Sequence, residues 1–489
     1  MTSVPPSRIP HAMTPSLRLP TLVALLTAVG CQTAPVAPDR VTVAAQLLPR
    51  FGQTLPDRTT AGQFALPPGV AIDDGLTEDE ALAVALWNNA AFQELLADLG
   101  VARGDLIQAG LLPNPEVGYF FAATDKPFKY VLDFPLESLW LRPIRVKAAA
   151  NEAARVTDRL AQAGLDLMRD VRLAYADVLL AQERLAVAKK TVALRTENRK
   201  FVEKLRDNDD SSVQEAATAR ILALQADQDA ARAAFDVPLA EERLRNLLGL
   251  GAIRGPLPLD PPPLPPTTEL PVDQLTAEAL ATRPDATAAA KAVAAAEERV
   301  RLANLGWVRL LGIFDATSGR SAGHEFGPAF RVTLPIFNRN QGGIARAEAE
   351  LERAVRNRQT VANQIVLDVQ RAYLQYRQAA AELDALKTKV RPEVEAALDL
   401  ARKGYQTGND SIFLVLENTR QLLDNYLREA VLTGDLRRAW AELERSVGRR
   451  LTSAGSPTSP IRVVEPPKPA TVPPQPVSAT PPTPPRNAP

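Results

Sequence analysis

Cysteine and histidine are almost absent from this sequence of 489 residues. Cys31 is the only cysteine, and His11 and His324 are the only histidines. A single thiol cannot form a disulfide within the chain, and so few nitrogen and sulfur ligands exclude an ordinary zinc, copper or haem site. The sequence also lacks a glycine-rich phosphate loop and a nucleophile–base set, so we expect no cofactor and no enzymatic activity.

An excess of one charge is also missing. Lysine and arginine total 57, and aspartate and glutamate total 57. No overall field therefore attracts nucleic acid or another strongly charged partner, and we expect no nucleic-acid binding.

Proline is absent between Pro143 and Pro238, and Gly164 is the only glycine in that interval. Apolar residues there recur at intervals of three and four, which predicts a coiled-coil helix from Ile144 to Arg206. Such a helix is about 90 Å long, far above the globular average. A second copy of the same size and composition runs from Ile344 to Gln406.

The two long helices belong to a duplicated unit. A shift of 194 positions aligns Leu76–Leu111 with Leu270–Leu305, and a shift of 200 aligns Ile144 with Ile344. Nearly constant offsets over most of the chain indicate an internal repeat. Each repeat is predicted to begin with one amphipathic helix, over 77–111 and over 271–305.

The hydrophobic period changes from helical to two once in each repeat. Phe128, Tyr130 and Leu132 alternate with Lys129, Val131 and Asp133 in the first repeat. Phe330 and Val332 alternate with Arg331 and Thr333 in the second. This pattern predicts one β-hairpin per repeat, with an aromatic face that packs either on a soluble core or in lipid. Four open strands cannot close a membrane sheet, because bacterial barrels use at least eight. Lipid-embedded hairpins therefore require a homo-oligomer.

Polar breaks end both long helices. Asp207–Ser212 and Thr407–Ser411 favour turns, after which a returning helix is expected. Pro392 should kink or offset the second long helix. These patterns predict a mainly α-helical protein with a small β part, in which duplicated long coiled-coil helical hairpins accompany two β-hairpins per chain.

The N-terminal region has the features of a bacterial lipoprotein signal. Arg18 precedes the short apolar run Leu22–Gly30, which ends at Cys31. We expect lipidation of Cys31, with ordinary secretory cleavage as the alternative. Translation from Met13 would give a more compact signal, and Gln32 after the cysteine indicates the outer membrane.

The predicted parts are a lipoprotein signal peptide (1–30), an irregular arm (31–75), the first repeat (76–250), a proline-rich connector (251–269), the second repeat (270–451) and a proline-rich, disordered tail (452–489).

Several stretches within residues 76–450 resemble the TolC-like outer-membrane factors of efflux and type I secretion systems. They are Ala109–Pro115 before the first hairpin, Gly327–Gly342 at the second, and Gly404–Gly408 with Val415–Glu417 near the second turn. The exit from the second hairpin and the lipoprotein signal are most similar to the heavy-metal branch, the CzcC/CusC-like proteins.

The resemblance implies a lipid-anchored homotrimer in the bacterial outer membrane that extends into the periplasm. Three chains would complete a twelve-stranded β-barrel and a trimeric α-barrel tunnel. The trimer would passively conduct substrate, heavy-metal cations on this branch, from an inner-membrane pump of RND type through a periplasmic adaptor. The alternatives are a multidrug efflux duct, a type I secretion duct, or a structural coiled-coil lipoprotein without a pore.

The resemblance also implies functional positions. Tyr405 and Glu417 match a periplasmic gate, where a ring of glutamates would attract cations. The sequence departs from that pattern at Leu414 and Asp410, and the alternative for Glu417 is a solvated helix residue. The turn residues expected to contact the adaptor are Asn208, Asp209, Asp210, Gly408, Asn409 and Asp410.

Overall fold

The computed structural model describes residues 38–451 except for 57–59, 61, 73, 122–127, 208–211, 252, 256 and 320–322. The predicted signal peptide, Cys31 and the proline-rich tail lie outside the described residues. The predicted turn residues Asn208, Asp209 and Asp210 lie outside them as well.

The described elements follow the same order in both halves of the chain. The first half contains α1 (Arg40–Phe51), α2 (Glu78–Asn88), α3 (Ala90–Gly110), β1 (Glu116–Phe120), β2 (Phe128–Pro135), α4 (Glu137–Asp207) and α5 (Val213–Leu248). The second half contains α6 (Val272–Thr282), α7 (Pro284–Leu305), β3 (Leu310–Gly319), β4 (Gly323–Val332), α8 (Gln341–Ala385), a π-helical turn (Leu386–Val390), α9 (Arg391–Gln406) and α10 (Ile412–Val447). The mainly helical fold with two β-hairpins is therefore confirmed.

The first long helix begins earlier than predicted. α4 contains 71 residues, about 107 Å, and starts at Glu137 rather than at Ile144. The prediction failed because Pro143 was read as a boundary, whereas the helix contains it in its second turn. A proline there removes a single backbone hydrogen bond, and α5 likewise contains Pro238.

The second long helix is offset where proline predicted it. α8 ends at Ala385, and the π-helical turn Leu386–Val390 separates it from α9, which has Pro392 in its first turn. The backbone N–H of Arg391 donates to the carbonyl of Leu386, the five-residue spacing that defines a π-turn. The prediction of an irregularity at Pro392 is confirmed.

The two predicted amphipathic helices over 77–111 and 271–305 are each two helices. The first breaks at Asn89, whose side chain accepts from the Phe92 amide at 2.9 Å and donates to the Leu247 carbonyl at 3.0 Å. The second breaks between Arg283 and Pro284. The sequence signals at these breaks are Asn88-Asn89 in the first and Pro284 in the second, and hydrophobic periodicity does not register either of them.

The prediction of an irregular arm over 31–75 is wrong for α1. Asp39 and Thr42 form a reciprocal capping box at the start of this helix, and Gly52 ends it in the left-handed conformation with φ 72°. Its buried face joins the core of the first half through Val43 and Leu47. The arm therefore contributes a helix to the core.

The four strands form one antiparallel sheet in the order β1-β2-β3-β4. Its register aligns Tyr119 with Tyr130, Tyr130 with Ala316, and Ala316 with Phe326, so these residues share a face. That face carries the exposed rings of Tyr119, Phe128, Tyr130, Phe314, Phe326 and Phe330. The opposite face carries the ion pair between Lys129 and Asp315 at 3.0 Å.

A buried tyrosine from each long helix is bonded to the proline-rich connector. The Tyr175 hydroxyl lies 2.8 Å from the Leu76 carbonyl and 2.6 Å from the Asp260 carbonyl. The Tyr376 hydroxyl lies 3.2 Å from the Thr268 carbonyl. These hydrogen bonds hold the connector against both hydrophobic cores.

A buried arginine joins the two halves. Arg172 of α4 donates to Glu78 of α2 at 2.7 Å and forms an ion pair with Glu444 of α10. Burial opposes the positive charge, but the two carboxylates outweigh that effect and raise the pKa of Arg172. Glu444 also accepts from the Leu451 amide at 2.7 Å. One side chain thus holds elements from both repeats and from the end of α10.

Arg172→Leu should destabilise the fold severely, because the Glu444 carboxylate would remain buried without its cation. We expect the free energy of unfolding to fall by about 3–5 kcal/mol. Urea unfolding of the detergent-solubilised protein, followed by far-ultraviolet circular dichroism, measures this change.

The matched control is Arg356→Leu, because the Arg356 side chain is 79% exposed and pairs with Glu352 one helical turn away. Loss of such a surface pair costs at most about 0.5 kcal/mol. Equal stability of the two variants would contradict the role assigned to Arg172.

Candidate functional site

The turn between α9 and α10 is a compact, hydrogen-bonded structure. Gly408 has φ 76°, a left-handed conformation that favours glycine. The backbone amides of Asn409 and Asp410 donate to the Gly404 carbonyl at 2.9 and 3.2 Å. The Gly408 amide donates to the Tyr405 carbonyl at 3.0 Å, so all three predicted contact residues of this turn have their amides in use and offer side chains and carbonyls.

Tyr405 lies in the last turn of α9 and packs between the two helical hairpins. Its ring meets that of Phe201 on α4 edge-on, with centroids 5.6 Å apart. It also packs against a small buried cluster of Leu398, Ala401 and Val415. Tyr405 thus ties the second turn to the first long helix.

Glu417 lies in the second turn of α10 and is held by its own helix. Arg420 donates to both of its carboxylate oxygens, at 2.7 and 3.0 Å, and Gln421 donates at 3.3 Å. The hydrogen bonds from Arg420 and then Gln421 lower the pKa of Glu417 to about 2. Glu417 is therefore ionised at every physiological pH, and it is not a bare carboxylate.

Arg420 also binds Asp424 at 2.8 Å, so one guanidinium bridges two carboxylates along α10. These three side chains, Glu417, Arg420 and Asp424, are called the acidic triad below. Two carboxylates and one guanidinium give the triad a net charge of −1. Sequence reasoning singled out Glu417 but missed both partners, although their spacings of three and four residues are those of helical ion pairs.

Leu414, where the resemblance led us to expect another acid, is an exposed apolar side chain in the first turn of α10. Asp410 lies in the turn, where its side chain occupies the space beside Gly404. A side chain at position 404 would require the Asp410 side chain to move.

The described residues contain neither a metal-binding cluster nor a membrane-spanning helix. Among the described residues, no group of three or more histidine, cysteine, aspartate or glutamate side chains could hold a metal ion. No helix in the described part of the chain is long and apolar enough to cross a membrane.

The sequence and the fold match proteins of one kind. Residues 275–449 match the family model for outer membrane efflux proteins. The chain is 25% identical to the cobalt-zinc-cadmium resistance protein CzcC of Cupriavidus metallidurans, over 82% of this chain and 97% of that protein.

Solved structures of outer-membrane channels share the fold. The structure of CusC has a TM-score of 0.65 at 20% identity and covers 80% of this chain and 98% of CusC. The outer-membrane channel OprN has a TM-score of 0.66 at 18% identity and covers 86% of this chain and 98% of OprN. With the two β-hairpins and the duplicated long helices, these matches show that residues 275–449 resemble the outer membrane efflux proteins and that the chain has the fold of outer-membrane channels.

Proposed function

We propose that this protein is the outer-membrane channel of a tripartite efflux system and passively conducts heavy-metal cations out of the cell. The observation that carries the proposal is the open aromatic sheet at the end of two very long helical hairpins. Each part of this architecture corresponds to one requirement of a duct that crosses both a membrane and the periplasm.

The sheet has two edges that need partners. In the described chain β1 and β4 each pair on one side only, which leaves two rows of backbone groups unpaired. Lipid offers such groups no hydrogen bonds, so a membrane-embedded sheet must close. In a ring of three copies, β4 of one chain would lie antiparallel to β1 of the next and complete twelve strands. The exposed aromatic face would then contact lipid.

The helices provide the length that such a duct needs. At about 107 Å, α4 is far longer than the hydrocarbon core of a bilayer, which is about 30 Å thick. The same three copies would surround a periplasmic tunnel with their helical hairpins. The turn around 408–410 lies between α9 and α10, and we propose that a periplasmic adaptor docks there and at residues 208–210. A lipid on Cys31 would anchor the chain in the outer membrane.

A passive duct has no chemical step, so the energy must come from an inner-membrane pump, for which we propose the RND type. The substrate proposal is supported by the similarity to a cobalt-zinc-cadmium resistance protein. The acidic triad adds a negative charge near the second turn, which suits cations better than anions.

Deletion of the gene should sensitise the bacterium to heavy-metal salts. We expect inhibition at lower concentrations of one or more of cobalt, zinc, cadmium, copper and silver, with no change for drugs and detergents. The measurement is growth across a concentration series, with the intact gene restored on a plasmid as the control.

Sensitivity confined to drugs would contradict the metal proposal and indicate multidrug efflux. Loss of a secreted polypeptide would indicate a type I secretion duct. Purified protein that neither forms trimers nor conducts ions in planar bilayers would contradict the channel itself and favour a structural coiled-coil lipoprotein.

The acidic triad should set ion preference if it lines the pore. Glu417→Gln changes its net charge from −1 to 0, and Arg420→Gln changes it to −2. We therefore expect the preference for cations to increase in the order E417Q, wild type, R420Q. Reversal potentials in planar bilayers under a potassium chloride gradient measure this order.

Glu352→Gln provides a control with the same change of charge, because this residue lies on α8 far from the second turn. It should leave the reversal potential unchanged. Equal reversal potentials for wild type, E417Q and R420Q would remove the triad from the pore lining and leave Glu417 as a solvated helix residue.

A further inference from the structure

A groove of about 520 Å³ lies between α4, α5 and α10. Its walls comprise Arg184–Arg195 of α4, Leu222–Asp236 of α5 and Arg420–Val431 of α10. The volume lies within the range of small-molecule sites, about 300–1,000 Å³. Arg420 and Asp424 of the acidic triad line one wall of this groove, and its other residues have no part in the proposed function.

Arg195 is the unusual member of the lining. Its residue is only 8% exposed, yet no described hydrogen bond or ion pair reaches its guanidinium within the part of the chain that the structure covers. None of its nitrogen atoms is both fully buried and without a partner, so the guanidinium opens to the groove and can donate to a ligand there.

The nearby acids do not supply the missing partner. Asp424 is bound by Arg420 at 2.8 Å, and Glu417 is bound by the same guanidinium. Asp229 and Asp236 also line the groove, but both are exposed residues of α5, and no described ion pair joins either of them to Arg195. Burial and then the charge of Arg420 lower the pKa of Arg195, while Asp424 and Glu417 oppose that effect from a distance.

Half of the rest of the lining is apolar, and these residues are Val187, Ala188, Leu222, Ala226, Ala233, Leu423, Leu427 and Val431. The other half is polar or charged, and these residues are Arg184, Thr191, Gln225, Asp229, Arg232, Asp236, Arg420 and Asp424. A guanidinium presents paired donors that match a carboxylate, and aliphatic walls match a hydrocarbon or ring. An inorganic anion would use the first feature and leave the second without a purpose.

We propose that this groove is a binding site for small organic anions that combine a carboxylate with an apolar body, and that Arg195 holds the carboxylate. Arg195 itself has no part in the proposed transport of metal cations. Binding to the purified protein can therefore fail or succeed separately from the growth phenotype.

The test is a ligand-observed fluorine NMR titration of the purified full-length protein with 4-fluorobenzoate, at constant ionic strength in chloride. We expect saturable binding at one site per chain. Arg195→Gln should weaken this binding at least about tenfold, because it removes the charge and the paired donors. Arg195→Lys should recover part of the affinity, since it keeps the charge without the planar fork.

Arg356→Gln is the matched control, because it removes the same charge from an exposed position outside the groove. It should bind as the wild type does, and circular dichroism should show that all variants fold. 4-Fluorobenzyl alcohol, which lacks the carboxylate, should bind at least about tenfold more weakly. Absence of saturable binding to the wild type, or equal binding by wild type and R195Q, would overturn the proposal. Inorganic phosphate that competes with 4-fluorobenzoate at equal affinity would overturn the requirement for an apolar body.

Discussion

Very long helices can bury their apolar residues only against other helices that run beside them, and this constraint organises the whole molecule. α4 packs along α3, α5, α7 and α10, and these neighbouring helices bury its apolar residues. The seam is narrow and alanine-rich, which allows close approach but buries little area per turn. Specific polar contacts must therefore fix which helices become neighbours. Arg172, between Glu78 and Glu444, is the clearest example.

The relative importance of apolar packing and polar contacts also changes along the hairpins. Near the middle, the two hydrophobic cores contain large side chains such as Tyr175, Tyr376 and Trp440. Towards the turns the buried clusters shrink to a few small residues, and arginine–carboxylate contacts become more prominent. A region held by few apolar contacts opens at lower cost than a large core. The part of the molecule proposed to contain the gate is thus also the part with the least buried hydrophobic packing.

Sequence patterns predicted the features that repeat and missed the features that depend on distant contacts. The long helices and both β-hairpins follow from hydrophobic period, which is a local property of the chain. Arg172 and Glu444 are 272 residues apart, and nothing local distinguishes a buried arginine from a solvated one. The same lack of a local signal explains why the sequence did not single out Arg195. Glu417 was found through resemblance alone, and the boundary at Pro143 was wrong because a proline near a helix start costs only one hydrogen bond.

The π-helical turn has a consequence for the phase of the second hairpin. Leu383 and Leu398 are both buried, in clusters that include residues of α10, and 398 − 383 gives a separation of 15 residues. In a continuous α-helix, 15 steps of about 100° would place the second leucine about 60° beyond four full turns. The π-turn uses one more residue than an α-turn and so reduces this rotation. The π-turn thus brings Leu398 back towards the side of the helix on which Leu383 lies. Both leucines can therefore face α10, although their spacing in the sequence does not fit a continuous α-helix.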